Sequence, residues 1–122
     1  MTVNGKYKNW IFKPLLGLSV ILLANVGSSQ DMPTGGNVKS GHVTITGTGT
    51  NHMVIDQETQ KSIINWDSFS IHSGGRVDFN QPSASSFSLN RVQGSMPSSI
   101  SGQLNSNGKV MLINPNGVAI TP

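Results

Sequence analysis

The chain has 122 residues, of which 35% are hydrophobic and 11% are charged, and it contains no cysteine. This length allows at most one modest domain, and the absence of cysteine excludes disulfide bonds, thiolate zinc sites, iron–sulfur clusters and a cysteine nucleophile. The formal net charge of +3 would favour an anionic partner, so the interpretation depends on where the charges lie.

The first 28 residues have the organisation of a secretory signal peptide. Lys6, Lys8 and Lys13 precede an apolar run over residues 15–24, and small residues follow it up to Ser28. A run of about ten apolar residues is too short for a transmembrane helix, which needs roughly twenty. We therefore predict a signal peptide over residues 1–28, cleaved after Ser28, and no transmembrane segment in the mature chain.

Removal of this signal changes the charge balance. Residues 29–122 contain five basic and five acidic side chains, so their net charge is zero. The net positive charge of the full chain comes from the predicted export signal. The net charge of the mature chain therefore does not favour binding to nucleic acid. Export without cysteine favours a bacterial envelope protein over a small eukaryotic secreted module.

The mature chain is predicted to be all-β. Apolar residues never recur at helical spacing over eleven or more residues, whereas short alternating runs are frequent. The predicted strands are residues 42–46, 53–55, 62–66, 69–71, 76–79, 87–92, 103–104, 110–113 and 118–120. Turns rich in glycine and asparagine separate them, at residues 35–37, 47–49, 73–75, 107–108 and 114–117.

Two all-β architectures fit these strands. A sandwich usually has strands of five or six residues and two-residue hairpin turns. Several strands here have three or four residues, and a glycine repeatedly stands two positions before an apolar residue. Short strands with such recurring glycines favour a β-solenoid. Because the glycine spacing is not constant, the pattern alone does not exclude a sandwich.

Several motifs resemble the N-terminal secretion domain of filamentous-haemagglutinin-type adhesins. They are MPTGGNV (32–38), INWDSFSI (64–71), VDFNQP (77–82), LNRVQG (89–94), SISGQL (99–104) and NGKVMLINPNGV (107–118). Their order and spacing agree over roughly residues 33–118. The resemblance implies a right-handed parallel β-helix preceded by a signal peptide.

The resemblance also implies a function in two-partner secretion. Domains of this family target an exoprotein to a dedicated outer-membrane transporter, whose periplasmic domains recognise them, for export to the surface of a Gram-negative bacterium. The family's asparagine-proline-asparagine-glycine motif is usually followed by isoleucine, where this chain has Val118, and the family domain continues much further. Residues 29–122 are therefore expected to be the N-terminal part of such a domain, apparently truncated, with host ligands reached only through a missing passenger.

Two segments are candidates for transporter recognition. They are Asn90, Arg91 and Val92, and the motif Asn114, Pro115, Asn116 and Gly117. Proline presets φ for a turn and glycine accepts a positive φ, so the second segment is first a tight corner. Direct contact with the transporter is the alternative role, and Arg91 is the favoured contact residue, with a solvent-exposed strand arginine as the other interpretation.

No other constellation supports catalysis or a cofactor. The three histidines, His42, His52 and His72, lack metal-ligand spacing, so we predict surface histidines and no metal. Asp56, Asp67 and Asp78 recur every eleven residues and could form a glycosidase pair, but nothing indicates a raised pKa in one of them, and they are assigned to turns or corners. Trp66 and Phe69 are assigned to packing. A secreted carbohydrate-active enzyme on a β-helix remains the alternative function.

Overall fold

The computed structural model describes residues 31–122 and two short strands near the N-terminus. Strands β1 (Thr2–Asn4) and β2 (Tyr7–Asn9) pair with each other in antiparallel fashion. The predicted signal peptide otherwise lies outside the described residues. The described part of the chain contains no helix, and therefore none that could span a membrane. The all-β class predicted from the sequence is confirmed.

Ten further strands form three sheets. They are β3 (Asn37–Ser40), β4 (Val43–Thr46), β5 (His52–Gln57), β6 (Lys61–Trp66), β7 (Arg76–Asn80), β8 (Phe87–Val92), β9 (Ser98–Ile100), β10 (Gln103–Ser106), β11 (Lys109–Ile113) and β12 (Val118–Ile120). Sheet 1 has the order β4-β5-β7-β10, sheet 2 has the order β3-β6-β8-β11, and sheet 3 consists of β9 and β12.

The chain passes through the three sheets in the same order three times. We call these passages rung 1 (residues 52–71), rung 2 (residues 76–100) and rung 3 (residues 103–120). Neighbouring rungs are joined by parallel strand pairs in sheets 1 and 2, and by β9 with β12 in sheet 3. Ile71 extends sheet 3 to rung 1 through an isolated bridge with Ile100.

The corners between strands differ in length from rung to rung. Register partners are separated by as few as 20 residues, as for Ser98 and Val118, and by as many as 29, as for Ile71 and Ile100. Stacking therefore requires that strands of neighbouring rungs stay in register, but it does not require corners of equal length. This is why the sequence shows recurring glycines without a constant period.

The two ends of the stack differ. At the N-terminal end, β3 and β4 pair antiparallel with β6 and β5, and their half-buried Val38, Val43 and Ile45 pack against the core. At the other end, Val118 is 45% exposed and Ile120 is 79% exposed. One end is thus closed by an antiparallel cap, whereas rung 3 presents the edges of β10, β11 and β12.

The core follows from the alternation of side chains along each strand. Every second residue of β5, β6, β7 and β8 is buried, and its neighbours face outward. The predicted packing roles of Trp66 and Phe69 are confirmed, because both are buried and their rings meet edge to face at 5.3 Å.

Several predicted local assignments differ from the structure. Residues 69–71 do not form a strand, because only Ile71 makes a bridge. Asn37 begins β3 instead of completing a turn, and Ser98–Ile100 forms an unpredicted strand. Both added strands have partners far away in sequence, so their own composition carries little signal for them.

Candidate functional site

The motif from Asn114 to Gly117 is an exposed corner between β11 and β12. The backbone N–H of Gly117 donates to the carbonyl of Asn114 at 3.0 Å, and the N–H of Asn116 donates to Asn114 Oδ1 at 2.9 Å. Gly117 has a φ of +111°, a conformation that residues with a side chain rarely adopt. The tight corner predicted from these four residue types is present.

Both asparagines of this corner also fasten it to rung 2. The Nδ2 group of Asn114 donates to the carbonyl of Met96 at 3.0 Å and to Ser98 Oγ at 2.9 Å. The Nδ2 group of Asn116 donates to the carbonyl of Gly94 at 2.7 Å. The two amide groups are therefore engaged in holding rung 3 to the preceding corner.

The segment from Asn90 to Val92 lies in strand β8, and its side chains make contacts on both faces of the sheet. Asn90 is fully buried, where its Oδ1 accepts the indole N–H of Trp66 at 2.9 Å and its Nδ2 donates to Ser88 Oγ at 3.1 Å. Val92 is 4% exposed. In the folded chain these two side chains are inside the stack, because they occupy inward positions of β8.

Arg91 points outward from the same strand and is half-buried. Its Nε donates to Asn65 Oδ1 at 2.9 Å, and its Cα pairs with those of Asn65 and Ile113 in the sheet. Ile113 directly precedes Asn114, so the structure brings the two predicted segments together on neighbouring rungs. We call Arg91 and residues 114–117 the corner site.

A second polar cluster, which the sequence analysis did not single out, surrounds Asp78 on the outer face of sheet 1. Arg76 Nε donates to both carboxylate oxygens, at 3.1 and 2.9 Å. Asn105 Nδ2 donates at 2.9 Å, and His52 Nε2 lies 2.8 Å from Oδ2. The hydrogen bond from Arg76 is the main reason why the pKa of Asp78 is lowered to about 2. In the sequence, this cluster could have been found from Arg76 and Asp78, which stand two residues apart on one predicted strand and therefore on the same face.

The three regularly spaced aspartates do not form a catalytic pair of the kind considered above. A glycosidase acid needs a raised pKa, whereas the pKa of Asp78 is lowered. The assignment of all three aspartates to turns or corners was wrong for Asp56 and Asp78, which lie within β5 and β7, whereas Asp67 directly follows β6, beside Gly35. Asp56 accepts a hydrogen bond from Asn80 Nδ2 at 2.9 Å. No group of three potential metal ligands occurs in the described ranges.

An open cavity of about 590 Å³ lies beside the N-terminal segment. Residues 31–35, the turn at 48–51 and residues from the ends of rungs 1 and 2 line it. Among the described residues that line it, Asp31 is the single titratable side chain. These described residues therefore offer no acid–base pair.

The architecture, a capped stack of rungs that each cross the three sheets, agrees with the comparisons with known proteins. The family model described as the TPS secretion domain matches residues 29–122. The crystal structure of the HMW1 secretion domain from Haemophilus influenzae superposes with a TM-score of 0.68 at 38% identity, covering 73% of this chain and 23% of that one.

Two curated relatives are heme/hemopexin-binding proteins of Haemophilus influenzae. The protein from strain Rd is 44% identical over 109 residues, and the second is 41% identical over 109 residues. In both cases the match covers 85% of this chain and 12% of the relative. The chain belongs to the TPS secretion domain family, and the resemblance deduced from its motifs is confirmed.

Proposed function

We propose that this chain is the secretion-targeting module of a two-partner secretion exoprotein. It is recognised by the periplasmic domains of a dedicated outer-membrane transporter and exported to the cell surface of a Gram-negative bacterium. The observation that carries this proposal is the family match over residues 29–122 together with the similarity to the HMW1 secretion domain. Targeting, and not catalysis, is its role.

The three rungs form the start of a right-handed parallel β-helix. Parallel pairing across β5, β7 and β10, and across β6, β8 and β11, supports a parallel β-helix, because a chain that repeats the same three sheets in order winds in one direction. The right hand is that of nearly all parallel crossover connections. Residues 29–122 are the N-terminal part of the secretion domain. The start of the family match at residue 29 supports a domain boundary there.

Residues 1–28 are a signal peptide that takes the chain across the inner membrane. The basic residues followed by a short apolar run and small residues support this assignment. In the curated relatives, the remaining seven-eighths or so of the protein lies outside the match. Binding of heme or hemopexin, which the names of those relatives state, would reach this chain only through a passenger of that kind.

The corner site is the surface that the transporter recognises on the folded domain. Arg91 is its charged group, and its side chain is the accessible one of the segment from Asn90 to Val92. Pro115 and the backbone of the turn are exposed beside it, while the asparagine amides hold them in place. A rigid, exposed corner next to a cation suits a receptor surface with acidic groups.

A secretion assay tests this proposal. The chain is fused to a reporter and expressed with and without an outer-membrane barrel of the two-partner secretion type. We expect reporter on the cell surface or in the medium in the presence of the barrel, and periplasmic reporter in its absence. Equal release with and without the barrel would contradict the proposal.

A matched pair of variants tests the site itself. Arg91→Gln should lower secretion about tenfold with little effect on folding, since it removes one partly exposed charge-assisted contact. Arg76→Gln is the control, because it removes an arginine on the outer face of another sheet. Circular dichroism checks that both variants fold. Equal secretion of the two variants would assign Arg91 a structural role.

A further inference from the structure

Five of the nine outward residues on β6, β8 and β11 in sheet 2 are apolar, whereas the outward residues of sheet 1 are mostly polar. Three rows of outward side chains cross β6, β8 and β11 in register: Lys61–Phe87–Lys109, Ile63–Leu89–Met111 and Asn65–Arg91–Ile113. The middle row is entirely apolar. Met111 is 47% exposed and Ile113 is 43% exposed, and the other apolar members are half-buried.

The same nine positions contain three of the five basic residues in the range 31–122. Lys61, Arg91 and Lys109 belong to the rows, and Lys39 lies in β3 at the edge of this face. Four of the five basic residues in the described range 31–122 therefore lie in the strands of sheet 2. None of these four strands contains an aspartate or a glutamate. We call this surface the cationic apolar face.

Sheet 1 provides an internal comparison. Its outward positions include His52, Asp56, Asp78, Asn80 and Asn105, which hydrogen-bond with one another across the strands. A face of such polar side chains is stable when it is exposed to water. A sheet with apolar residues at both its inward and its outward positions has the pattern of a sheet that is covered on both sides. The cationic apolar face therefore indicates a partner.

The dimensions of the face decide between classes of partner. Four strands spaced about 4.8 Å apart, each rising about 3.3 Å per residue over up to six residues, span roughly 14 by 20 Å, or about 300 Å². A standard protein–protein interface needs about 800 Å² on each partner. Binding to a lipid surface does not require a contact area of this size. The free energy of burying apolar side chains and the attraction of basic side chains to anionic lipid are separate contributions that add.

We propose that the cationic apolar face binds the surface of an anionic lipid bilayer. The apolar rows contact the acyl boundary, and Lys39, Lys61, Arg91 and Lys109 lie at the level of the phosphate groups. Zero net charge over residues 29–122 does not oppose this attachment, because at physiological salt charges more than about 8 Å away are largely screened. Attachment would hold the exported chain at a membrane surface independently of any transporter.

Vesicle co-sedimentation of the exported, processed protein purified from the periplasm tests the proposal. The leader must be absent, since its own basic and apolar residues would bind lipid, and N-terminal sequencing establishes this. We expect binding to vesicles of phosphatidylcholine with about one third phosphatidylglycerol, weaker binding at high salt, and little binding to phosphatidylcholine alone, as charge attraction requires. Equal binding to both vesicles, or no binding, would overturn the proposal.

Four variants localise the interaction. Lys61→Gln combined with Lys109→Gln should weaken binding about 30-fold, since each basic residue near an anionic surface contributes about 1 kcal/mol, or fivefold. Met111→Ser should weaken it several-fold. The matched controls are Arg76→Gln and Met96→Ser, which remove a cation and a 64%-exposed methionine elsewhere, and they should leave binding unchanged.

Two results would refute the assignment. Equal losses in the control variants would show that no particular face is used. The absence of vesicle binding, combined with binding to the periplasmic domains of the transporter that Lys61→Gln and Lys109→Gln abolish, would assign this face to a protein partner. That last result would leave the proposed targeting function intact while overturning the lipid assignment.

Discussion

Replacement of the buried amide of Asn90 tests how the interior of the stack is stabilised. Asn90→Leu removes the acceptor of the Trp66 indole N–H, which lies inside the stack with Trp66 only 1% exposed. Leucine has a similar size and keeps the inward position filled. The indole donor then has no partner and no access to water.

The expected magnitude follows from two losses and one gain. An unsatisfied buried donor costs about 1–3 kcal/mol, and loss of the bond from Asn90 Nδ2 to Ser88 Oγ adds about 1 kcal/mol. Ser88 keeps its second partner, Ser62 Oγ at 3.0 Å. Burial of the leucine side chain returns about 1–2 kcal/mol. We expect a net loss of about 2 kcal/mol in the free energy of unfolding, or about 10 °C in Tm for a domain of this size.

Urea titration of the full chain, followed by circular dichroism, measures this loss. Asn37→Leu is the matched control, because Asn37 occupies an exposed position in β3 of the same sheet and its substitution should change stability by no more than about 0.5 kcal/mol. The combined Trp66→Phe and Asn90→Leu variant should be less destabilised than the sum of the single changes, since no orphaned donor remains. If Asn90→Leu were as stable as the control, the buried indole–amide bond would contribute nothing.

Three further predictions concern the corner, the carboxylate cluster and the leader. Gly117→Val should destabilise the fold by about 1–3 kcal/mol, because valine is strained at the φ of +111° found there. Asn116→Asp should cost about 1 kcal/mol, because a carboxylate would face the carbonyl of Gly94. Urea titrations that give equal stability to Gly117→Val and the parent would contradict this. Because the folded-state pKa of Asp78 is lowered to about 2, its contribution, on the order of 1 kcal/mol, is present above about pH 4 and is lost as the pH falls towards 2. Asp78→Asn should therefore flatten the stability profile between pH 4 and 2, and an unchanged acid slope would refute this. The exported protein should begin at Ser29 by N-terminal sequencing, and an intact Met1 in the periplasm would exclude cleavage.

The strand pattern of the sequence predicted most of the fold because inward and outward positions alternate strictly. In Val43–Thr46 and Arg76–Asn80, this alternation alone assigns each side chain to the core or the surface. It gives the wrong faces in Phe87–Val92, where the polar Ser88 and Asn90 are the buried residues. It failed for Ser98–Ile100, whose strand depends on pairing with Val118–Ile120 twenty residues later. Composition gives no sign of such a pairing.

The candidate site was only partly predictable. The corner formed by Asn114 to Gly117 follows from local turn chemistry, and it appears as expected. Asn90 is a polar residue that sequence reasoning places at the surface, yet it is buried because Trp66 supplies a donor from the neighbouring rung. The cationic apolar face was hidden by the zero net charge, since counting charges does not show how the topology distributes them.

The unequal corners of the stack affect how such a chain can diverge. Because register partners lie anywhere from 20 to 29 residues apart, the rungs already accept corners of several lengths. Doubling the length of a flexible loop costs only about 0.6 kcal/mol in closure entropy, whereas shifting a strand by one residue would turn its apolar side chains outward. Insertions and deletions among relatives should therefore concentrate between the strands, for instance near residues 81–86 and 93–97. New surface loops can arise there while the rungs keep their alignment.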